Sequence, residues 1–125
     1  MKIEEVMKKV IAIDDIKLRE AAEIMSDKKV GSLIVLEQDN IAGIITERDV
    51  LKNVERLGDK VSKIMSKDVI VISPESSLDD AARLMTENEI KRLPVMKDGK
   101  LLGIITATDI IANSNALNES FLLED

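Results

Sequence analysis

The chain has 125 residues, a formal net charge of −6, and neither cysteine nor histidine. The lack of cysteine excludes disulfides and thiolate zinc sites, and the lack of histidine removes the commonest metal ligand and the usual general base near neutral pH. The acidic balance and the single aromatic residue argue against nucleic-acid binding, which draws on basic residues for phosphates and on aromatic rings for base stacking.

The sequence also argues against membrane insertion and secretion. It has no uninterrupted apolar run of the length that a membrane helix needs, and no basic and apolar leader follows Met1. We therefore predict a cytoplasmic protein with no membrane contact. The length suits one ordinary domain, so any internal repeats are expected to share one hydrophobic core.

The first half of the chain predicts a strand, a helix, two hairpin strands and a second helix. A short turn or helix precedes them in residues 1–9. Apolar positions then follow a strand pattern, a helical spacing and two further strand patterns around a polar turn. The predicted ranges are 10–13 for the first strand, 16–28 for the first helix, 33–36 and 41–45 for the hairpin, and 46–57 for the second helix.

The second half predicts the same order. Asp98-Gly99 between two apolar runs is a strong hairpin signal. Pro94 has no backbone N–H, which places its strand at a sheet edge or a bulge. The methionines on the helices, Met25 and Met85, are interpreted as core residues. The predicted ranges are 69–72 for the first strand, 78–85 for the apolar face of the helix, and 93–96 and 101–105 for the hairpin.

A shift of 60 residues aligns the two halves without a gap. Residues 18–51 and 78–111 then share 11 identical positions, so the chain holds two copies of one sequence unit. We divide it into a first repeat at 1–60, a second repeat at 61–111 and a tail at 112–125. The tail ends on an apolar cluster that either frays or docks on the body or on a partner chain. The identical pairs are Leu18/Leu78, Ala21/Ala81, Ala22/Ala82, Met25/Met85, Leu33/Leu93, Val35/Val95, Gly43/Gly103, Ile44/Ile104, Ile45/Ile105, Thr46/Thr106 and Asp49/Asp109.

The pairs Thr46 with Asp49 and Thr106 with Asp109 allow two interpretations. A hydroxyl residue followed three positions later by an acid, where a strand becomes a helix, is the pattern of a capping box. Alternatively, the carboxylate accepts hydrogen bonds from two neighbouring hydroxyls, as on a ribose, while the helix N-terminus faces an anion. The preceding glycine favours the second interpretation if it leaves room for a ligand to approach the backbone.

The whole chain resembles a tandem pair of CBS domains, the regulatory units named after cystathionine beta-synthase. The resemblance covers about residues 3–111, and it rests on an ordered set of short motifs that occurs twice. It implies an α/β fold of two βαββα repeats, packed sheet to sheet about a pseudo-twofold axis. The residues that carry it are 43–49 with 103–109, 18–25 with 78–85, 30–35, and 91–95.

The resemblance also implies a ligand. CBS pairs bind adenosine compounds such as AMP, ADP, ATP or S-adenosylmethionine in clefts between the repeats. In such proteins the aspartate holds the ribose hydroxyls, the threonine lies beside the sugar or phosphate, backbone near the first strand faces the base, and basic residues before the second strand face phosphate. Carried over, these residues are Thr46, Asp49, Thr106 and Asp109 for the sugar, Ile11, Ala12, Ile70 and Val71 for the base, and Lys91 and Arg92 for phosphate.

The two repeats differ in charge around these positions. The second repeat has Lys91-Arg92 where the first has Gly31-Ser32, and the first has Arg48 where the second has Thr108. The two basic residues either contact phosphate or form an ordinary solvated pair. We therefore expect two non-equivalent clefts, of which one can be empty.

Three functions follow from this sequence. The first is a non-catalytic adenine-nucleotide sensor whose occupancy alters its shape or its contacts with a regulated partner protein. The second is a ligand-free structural or dimerisation module. A homodimer is compatible with the sensor and with this module, and symmetric pairs are the commonest assemblies. The third is an enzyme that uses two carboxylates, which we rank last because nothing in the sequence indicates a raised carboxyl pKa.

Overall fold

The computed structural model of the chain describes residues 1–114, so most of the predicted tail, residues 115–125, lies outside the described part. The described chain forms two compact units. The central unit comprises residues 10–69, and the split unit combines residues 1–9 with residues 70–114. Within residues 1–114, no helix combines the length and the apolar composition needed to cross a bilayer.

Both units mix helices and small sheets, and the predicted α/β class is confirmed. The central unit contains β1 (Ala12–Ile13), α1 (Leu18–Lys28), β2 (Ser32–Glu37), β3 (Asn40–Thr46) and α2 (Glu47–Lys52). The split unit contains α3 (Leu78–Asn88), β4 (Arg92–Lys97), β5 (Lys100–Thr106) and α4 (Ala107–Ala112). Short 3-10 turns lie at Ile3–Glu5, Val54–Arg56 and Val61–Lys63.

The central unit is built on a three-stranded sheet with the order β1-β2-β3. β1 runs parallel to β2, and β2 pairs antiparallel with β3. Residues of α1, the hairpin and the segment after α2 close one apolar core, and the prediction that Met25 is a core residue is confirmed. The core residues are Leu18, Ala21, Met25, Leu33, Val35, Ile45 and Val61.

The helix predicted over 46–57 is shorter in the structure. The α-helix ends at Lys52, and a 3-10 turn follows at Val54–Arg56. At this end the Asn53 side-chain amide donates to the Asp49 carbonyl at 2.7 Å, and the Asn53 N–H donates to the Val50 carbonyl at 3.1 Å. The tighter i to i−3 bond of the Asn53 N–H marks the change from α-helix to 3-10 turn.

The split unit contains the β4–β5 hairpin, but the strand predicted at 69–72 is reduced to a single parallel bridge between Ile72 and Val95. In the central unit the Ile34 N–H donates to the Ile11 carbonyl at 2.9 Å and extends the ladder. Pro94 occupies the position of Ile34 and has no N–H to donate. β4, which contains Pro94, is an edge strand of a two-stranded sheet, as predicted. The core residues are Ile3, Ile72, Ala81, Met85, Leu93, Val95 and Ile105.

Both hairpins turn through two residues with positive φ. Asp98 and Gly99 have φ angles of 52° and 76°, and Gln38 and Asp39 have φ angles of 51° and 65°. A two-residue turn with both residues in the left-handed region matches the twist of the flanking strands. The hairpin turn predicted from Asp98-Gly99 is therefore confirmed. The first repeat forms a turn of the same kind from Gln38 and Asp39, without a glycine.

Each unit is completed by the leading segment of the other sequence repeat. Residues 1–9 pack in the split unit, where the Ile3 N–H donates to the Ser76 carbonyl and Lys8 pairs with Ile104. In the central unit, Ser66 pairs with Ile44 in the same way. The boundaries of the two compact units therefore differ from those of the sequence repeats 1–60 and 61–111.

This pairing explains the two motif glycines. A Cβ atom on Gly103 would lie 2.8 Å from the Lys8 carbonyl oxygen, and one on Gly43 would lie 2.7 Å from the Ser66 carbonyl oxygen. The glycines therefore make room for the leading segments of the protein itself. The interpretation that Gly43 and Gly103 leave space for a ligand was wrong.

We predict that Gly103→Ala lowers the free energy of unfolding by about 1–3 kcal/mol, because a methyl group there overlaps fixed backbone. Urea denaturation measures the change. Gly58→Ala is the matched control, since a Cβ atom at Gly58 meets no atom within 4 Å. Equal stability of the two variants would contradict the close approach at Gly103.

Candidate functional site

The Thr46–Asp49 motif forms a closed set of hydrogen bonds where β3 ends and α2 begins. The Thr46 hydroxyl accepts from the Asp49 N–H at 3.2 Å. Asp49 Oδ2 accepts from the Thr46 N–H at 2.8 Å and from the Thr46 hydroxyl at 3.0 Å. Thr46 and Asp49 thus form a capping box, with the shorter aspartate in the position usual for glutamate.

The Thr106–Asp109 motif forms the same box between β5 and α4. The Thr106 hydroxyl accepts from the Asp109 N–H at 3.2 Å, and Asp109 Oδ2 accepts from the Thr106 N–H and hydroxyl at 3.0 and 2.8 Å. The capping interpretation is therefore confirmed in both repeats. Each box uses one carboxylate oxygen, and the other oxygen takes no part in the box.

The remaining oxygens of the two aspartates differ. Asp109 Oδ1 forms an ion pair with the Lys8 ammonium at 2.8 Å, and the Asp109 side chain is only 4% exposed. Asp49 is half-buried, and no group among residues 1–114 donates a hydrogen bond to its Oδ1. In the described part of the chain, Asp49 therefore keeps an oxygen that can accept from a ligand.

A third capping box differs from that of Asp49 because both oxygens of its carboxylate have partners. Ser77 and Asp80 form it at the start of α3, and the other Asp80 oxygen accepts from Arg83 at 3.0 Å. The hydrogen bond from the Ser77 backbone N–H is the main reason why the pKa of Asp80 is lowered, followed by the Ser77 hydroxyl and then Arg83. Both Asp80 oxygens are thus used within α3 and its cap.

The predicted phosphate residues lie beside the second box. The Lys91 carbonyl accepts from the Ala107 N–H at 2.9 Å, and Arg92 pairs with Thr106 across the hairpin. Neither Lys91 nor Arg92 forms a salt bridge with a carboxylate of residues 1–114. Two cations are therefore free to face an anion near Thr106.

The corresponding place in the central unit is uncharged. The Gly31 carbonyl accepts from the Glu47 N–H at 3.0 Å, and Ser32 pairs with Thr46. Arg48 is exposed in the first turn of α2, one residue from Asp49. The expected difference in charge between the two repeats is thus present in the structure.

The predicted base-facing residues lie at the same end of each sheet as the capping boxes. In the central unit this end is the start of β2, where Ser32 pairs with Thr46 and where the Ile11 carbonyl already accepts from the Ile34 N–H. Ala12 follows at the exposed start of β1.

In the split unit, Ile70 and Val71 precede the bridge at Ile72. Because Pro94 cannot donate, no backbone N–H of the described residues binds the Ile70 carbonyl. The Ile70 carbonyl can therefore accept a hydrogen bond from a ligand. It lies at the same end of the sheet as the Thr106–Asp109 capping box.

Residues 1–114 contain no cluster of three or more acidic side chains placed to hold a metal ion. The site of each unit is thus a carboxylate, a helix N-terminus and nearby backbone. These groups suit a neutral or anionic ligand that carries hydroxyl groups.

Comparison with known proteins identifies the family. The sequence model of the CBS domain matches residues 3–56 and again residues 61–115. The chain belongs to the CBS domain family and carries the domain twice.

Two relatives of this CBS domain pair illustrate the match. MJ1232 of Methanocaldococcus jannaschii is 35% identical over 95 residues, which is 75% of this chain and 32% of that protein. YhcV of Bacillus subtilis, a CBS domain-containing protein, is 35% identical over 107 residues, or 82% of this chain and 76% of that one. The CBS domain pair thus spans about a third of the first relative and most of the second.

A solved structure of the family contains ligands. The CBS domain pair of protein MJ0100, in complex with 5′-methylthioadenosine and S-adenosyl-L-methionine, superposes with a TM-score of 0.80 at 25% identity. The superposition covers 90% of this chain and 98% of that chain. The predicted resemblance to CBS domain pairs is therefore confirmed in sequence and in fold.

One charged residue of this CBS domain pair was missed by the sequence reasoning. Lys8 lies in the leading segment, and its contact with Asp109 spans most of the chain. Its counterpart in the central unit is Ser66, because Lys8 bridges to Ile104 as Ser66 bridges to Ile44. Aligning the two leading segments would have exposed this difference, but no local pattern links Lys8 to Asp109.

We predict that Asp49→Ala lowers the free energy of unfolding by about 1 kcal/mol, because the Thr46 N–H and hydroxyl lose the carboxylate oxygen that accepts from them. Asp49→Asn keeps an oxygen that accepts from Thr46 and is expected to lose less than half as much. Urea denaturation of the two variants measures the difference. Equal losses would show that the charge of Asp49, and not the cap, stabilises α2.

Proposed function

We propose that this CBS domain pair is a non-catalytic regulatory module that binds an adenosine-containing ligand. The candidate ligands are AMP, ADP, ATP and S-adenosylmethionine. Two ribose hydroxyls would donate to Asp49 or Asp109, the threonine of the same box would lie beside the sugar, and the adenine would face backbone groups of the first strand.

The free Oδ1 of Asp49 is the observation that supports this proposal best. A carboxylate that only capped its helix would need one oxygen, and Oδ2 of Asp49 already makes both capping contacts. Asp49 is half-buried, and its other oxygen has no donor among the described residues. A ribose hydroxyl there would form a charge-assisted hydrogen bond, which is stronger than a neutral one.

The solved complex of MJ0100 gives independent support. Both of its ligands, 5′-methylthioadenosine and S-adenosyl-L-methionine, contain adenosine. The feature that these two ligands share with the candidate nucleotides is adenosine, whose ribose carries two neighbouring hydroxyl groups. Lys91 and Arg92 add a preference for phosphate in the split unit, since free cations near a ligand attract anionic groups.

The regulated target is a further part of the proposal. Relatives such as MJ1232 are about three times as long as the aligned segment, so they contain additional chain beyond the CBS pair. We propose that ligand occupancy changes how this module contacts a separate partner protein. Capture of binding proteins with and without ligand would identify that partner.

Isothermal titration with AMP, ATP and S-adenosylmethionine tests the binding proposal. We expect Asp49→Ala to weaken the best ligand roughly tenfold, the factor for losing one charged hydrogen bond. Asp80→Ala is the matched control, because it removes the same kind of cap from α3 while leaving Asp49 and Asp109 in place. Absence of heat with all three ligands at millimolar concentration would contradict the proposal.

A second candidate function is a ligand-free module that pairs with a second copy of itself. Its support is an open apolar groove of about 260 Å³ on α1 and α2, lined by Ala22, Met25, Val50 and Leu51 among others. Leu51 is 73% exposed, and its counterpart on α4, Ile111, is 65% exposed. Each unit thus presents an apolar side chain at the same place on its last helix.

We predict that Leu51→Glu shifts a dimer towards monomer in sedimentation velocity, because a charge on the apolar helix face opposes its burial. Leu102→Glu is the control, since Leu102 is also exposed, at 43%, but lies on a strand. A wild-type protein that stays monomeric at high concentration would exclude the homodimer.

A further inference from the structure

The two oxygens of Asp109 have different partners, one inside the capping box and one outside it. Oδ2 is fixed in the capping box by the Thr106 backbone and hydroxyl. Oδ1 is covered by the Lys8 ammonium, whose side chain is 64% exposed. The carboxylate is therefore buried, while its cationic partner approaches from the solvent side and can leave.

The backbone of Lys8 is fixed even though its side chain is not. The Lys8 N–H donates to the Ile104 carbonyl at 2.9 Å, and the Ile104 N–H donates to the Lys8 carbonyl at 3.0 Å. Gly103 permits this approach because it has no Cβ atom. The backbone of Lys8 thus keeps its ammonium within reach of Asp109.

The central unit lacks such a cation. Ser66 makes the same pair of backbone hydrogen bonds with Ile44, each at 3.0 Å, but its side chain ends at a hydroxyl. Ser66 makes no hydrogen bond to Asp49 in the structure. One residue in the leading segment therefore decides whether the outward carboxylate oxygen is covered or open.

We propose, building on the proposed adenosine binding, that Lys8 is an internal competitor for the ribose at Asp109. A ribose hydroxyl can donate to Asp109 Oδ1 only after the Lys8 ammonium has moved away. An uncharged adenosine ligand offers that ammonium no new anion. Such a ligand consequently binds the Asp49 site first and the Asp109 site more weakly, and residues 66 and 8 set this order.

A residue exchange tests the proposal directly. Lys8→Ser gives the split unit the side chain of the central unit, and Ser66→Lys does the reverse. The probe is 5′-methylthioadenosine, which is uncharged near neutral pH. Amide shifts of residues 43–53 and 103–113 in the isotope-labelled protein report the two sites separately, so each titration yields two affinities.

We expect Lys8→Ser to tighten the Asp109 site roughly fivefold, the factor equivalent to about 1 kcal/mol for a solvent-facing ion pair, and to leave the Asp49 site unchanged. Ser66→Lys is expected to weaken the Asp49 site by a similar factor. Lys8→Met serves as a second variant, since it keeps the length of the side chain but removes the charge.

The salt dependence of the affinity at the Asp109 site distinguishes competition by Lys8 from a change in packing. Raising the ionic strength to about 1 M shortens the Debye length to about 3 Å and weakens the Lys8–Asp109 pair from its solvent side, where the Lys8 side chain is 64% exposed. The affinity of the Asp109 site for the uncharged probe is then expected to rise in the wild-type protein. In Lys8→Ser it is expected to stay constant.

The outcomes distinguish this inference from the proposed function. If the probe binds but Lys8→Ser and Lys8→Met leave the Asp109 site unchanged, Lys8 is not a competitor and the adenosine proposal stands. If the probe shifts no amide in the wild-type protein or in any variant, the adenosine proposal is wrong and the inference falls with it.

Discussion

The backbone pairing between a leading segment and the last strand of a unit is the constraint on which the other features depend. The backbone N–H and carbonyl of Lys8 both form hydrogen bonds with Ile104, and those of Ser66 form the same two bonds with Ile44. The pairing requires a glycine at the preceding strand position, because any Cβ atom there would overlap the incoming backbone. It also decides which side chain reaches the aspartate at the start of the next helix.

The capping boxes show that stability and recognition need not compete for the same carboxylate. One oxygen of Asp49 and of Asp109 binds the local threonine, and this fixes the orientation of the carboxylate. The second oxygen of each carboxylate takes no part in the box. A flexible carboxylate would lose more side-chain entropy on binding a sugar. The structural role of the box therefore prepares its proposed binding role.

The parts of the fold that depend on local patterns could be predicted from the sequence. The repeat, both hairpins and the helices follow from spacing, turn residues and caps. One local signal was used only in part. The missing N–H of Pro94 was taken to set the place of its own strand, but it also removes the donor that a full strand at 69–72 would need.

Other parts could not be predicted because they join distant residues. The contact between Lys8 and Asp109 depends on which repeat receives the first nine residues, and spacing along the chain does not specify that exchange. For the same reason the motif glycines were assigned to a ligand, although they accommodate the protein's own backbone. The residues of the candidate site were predictable, whereas the difference between its two copies was only partly so.

The split unit has a consequence for folding during synthesis. Residues 1–9 are made before the central unit, whereas β5, the strand to which they bind, is made after it. Joining Lys8 to Ile104 closes a loop of about a hundred residues, and the entropy of closure grows with the logarithm of loop length. The central unit is contiguous in sequence, and all of it is synthesised before β5. We therefore expect the central unit to form first and the split unit to close only after β5 has been made.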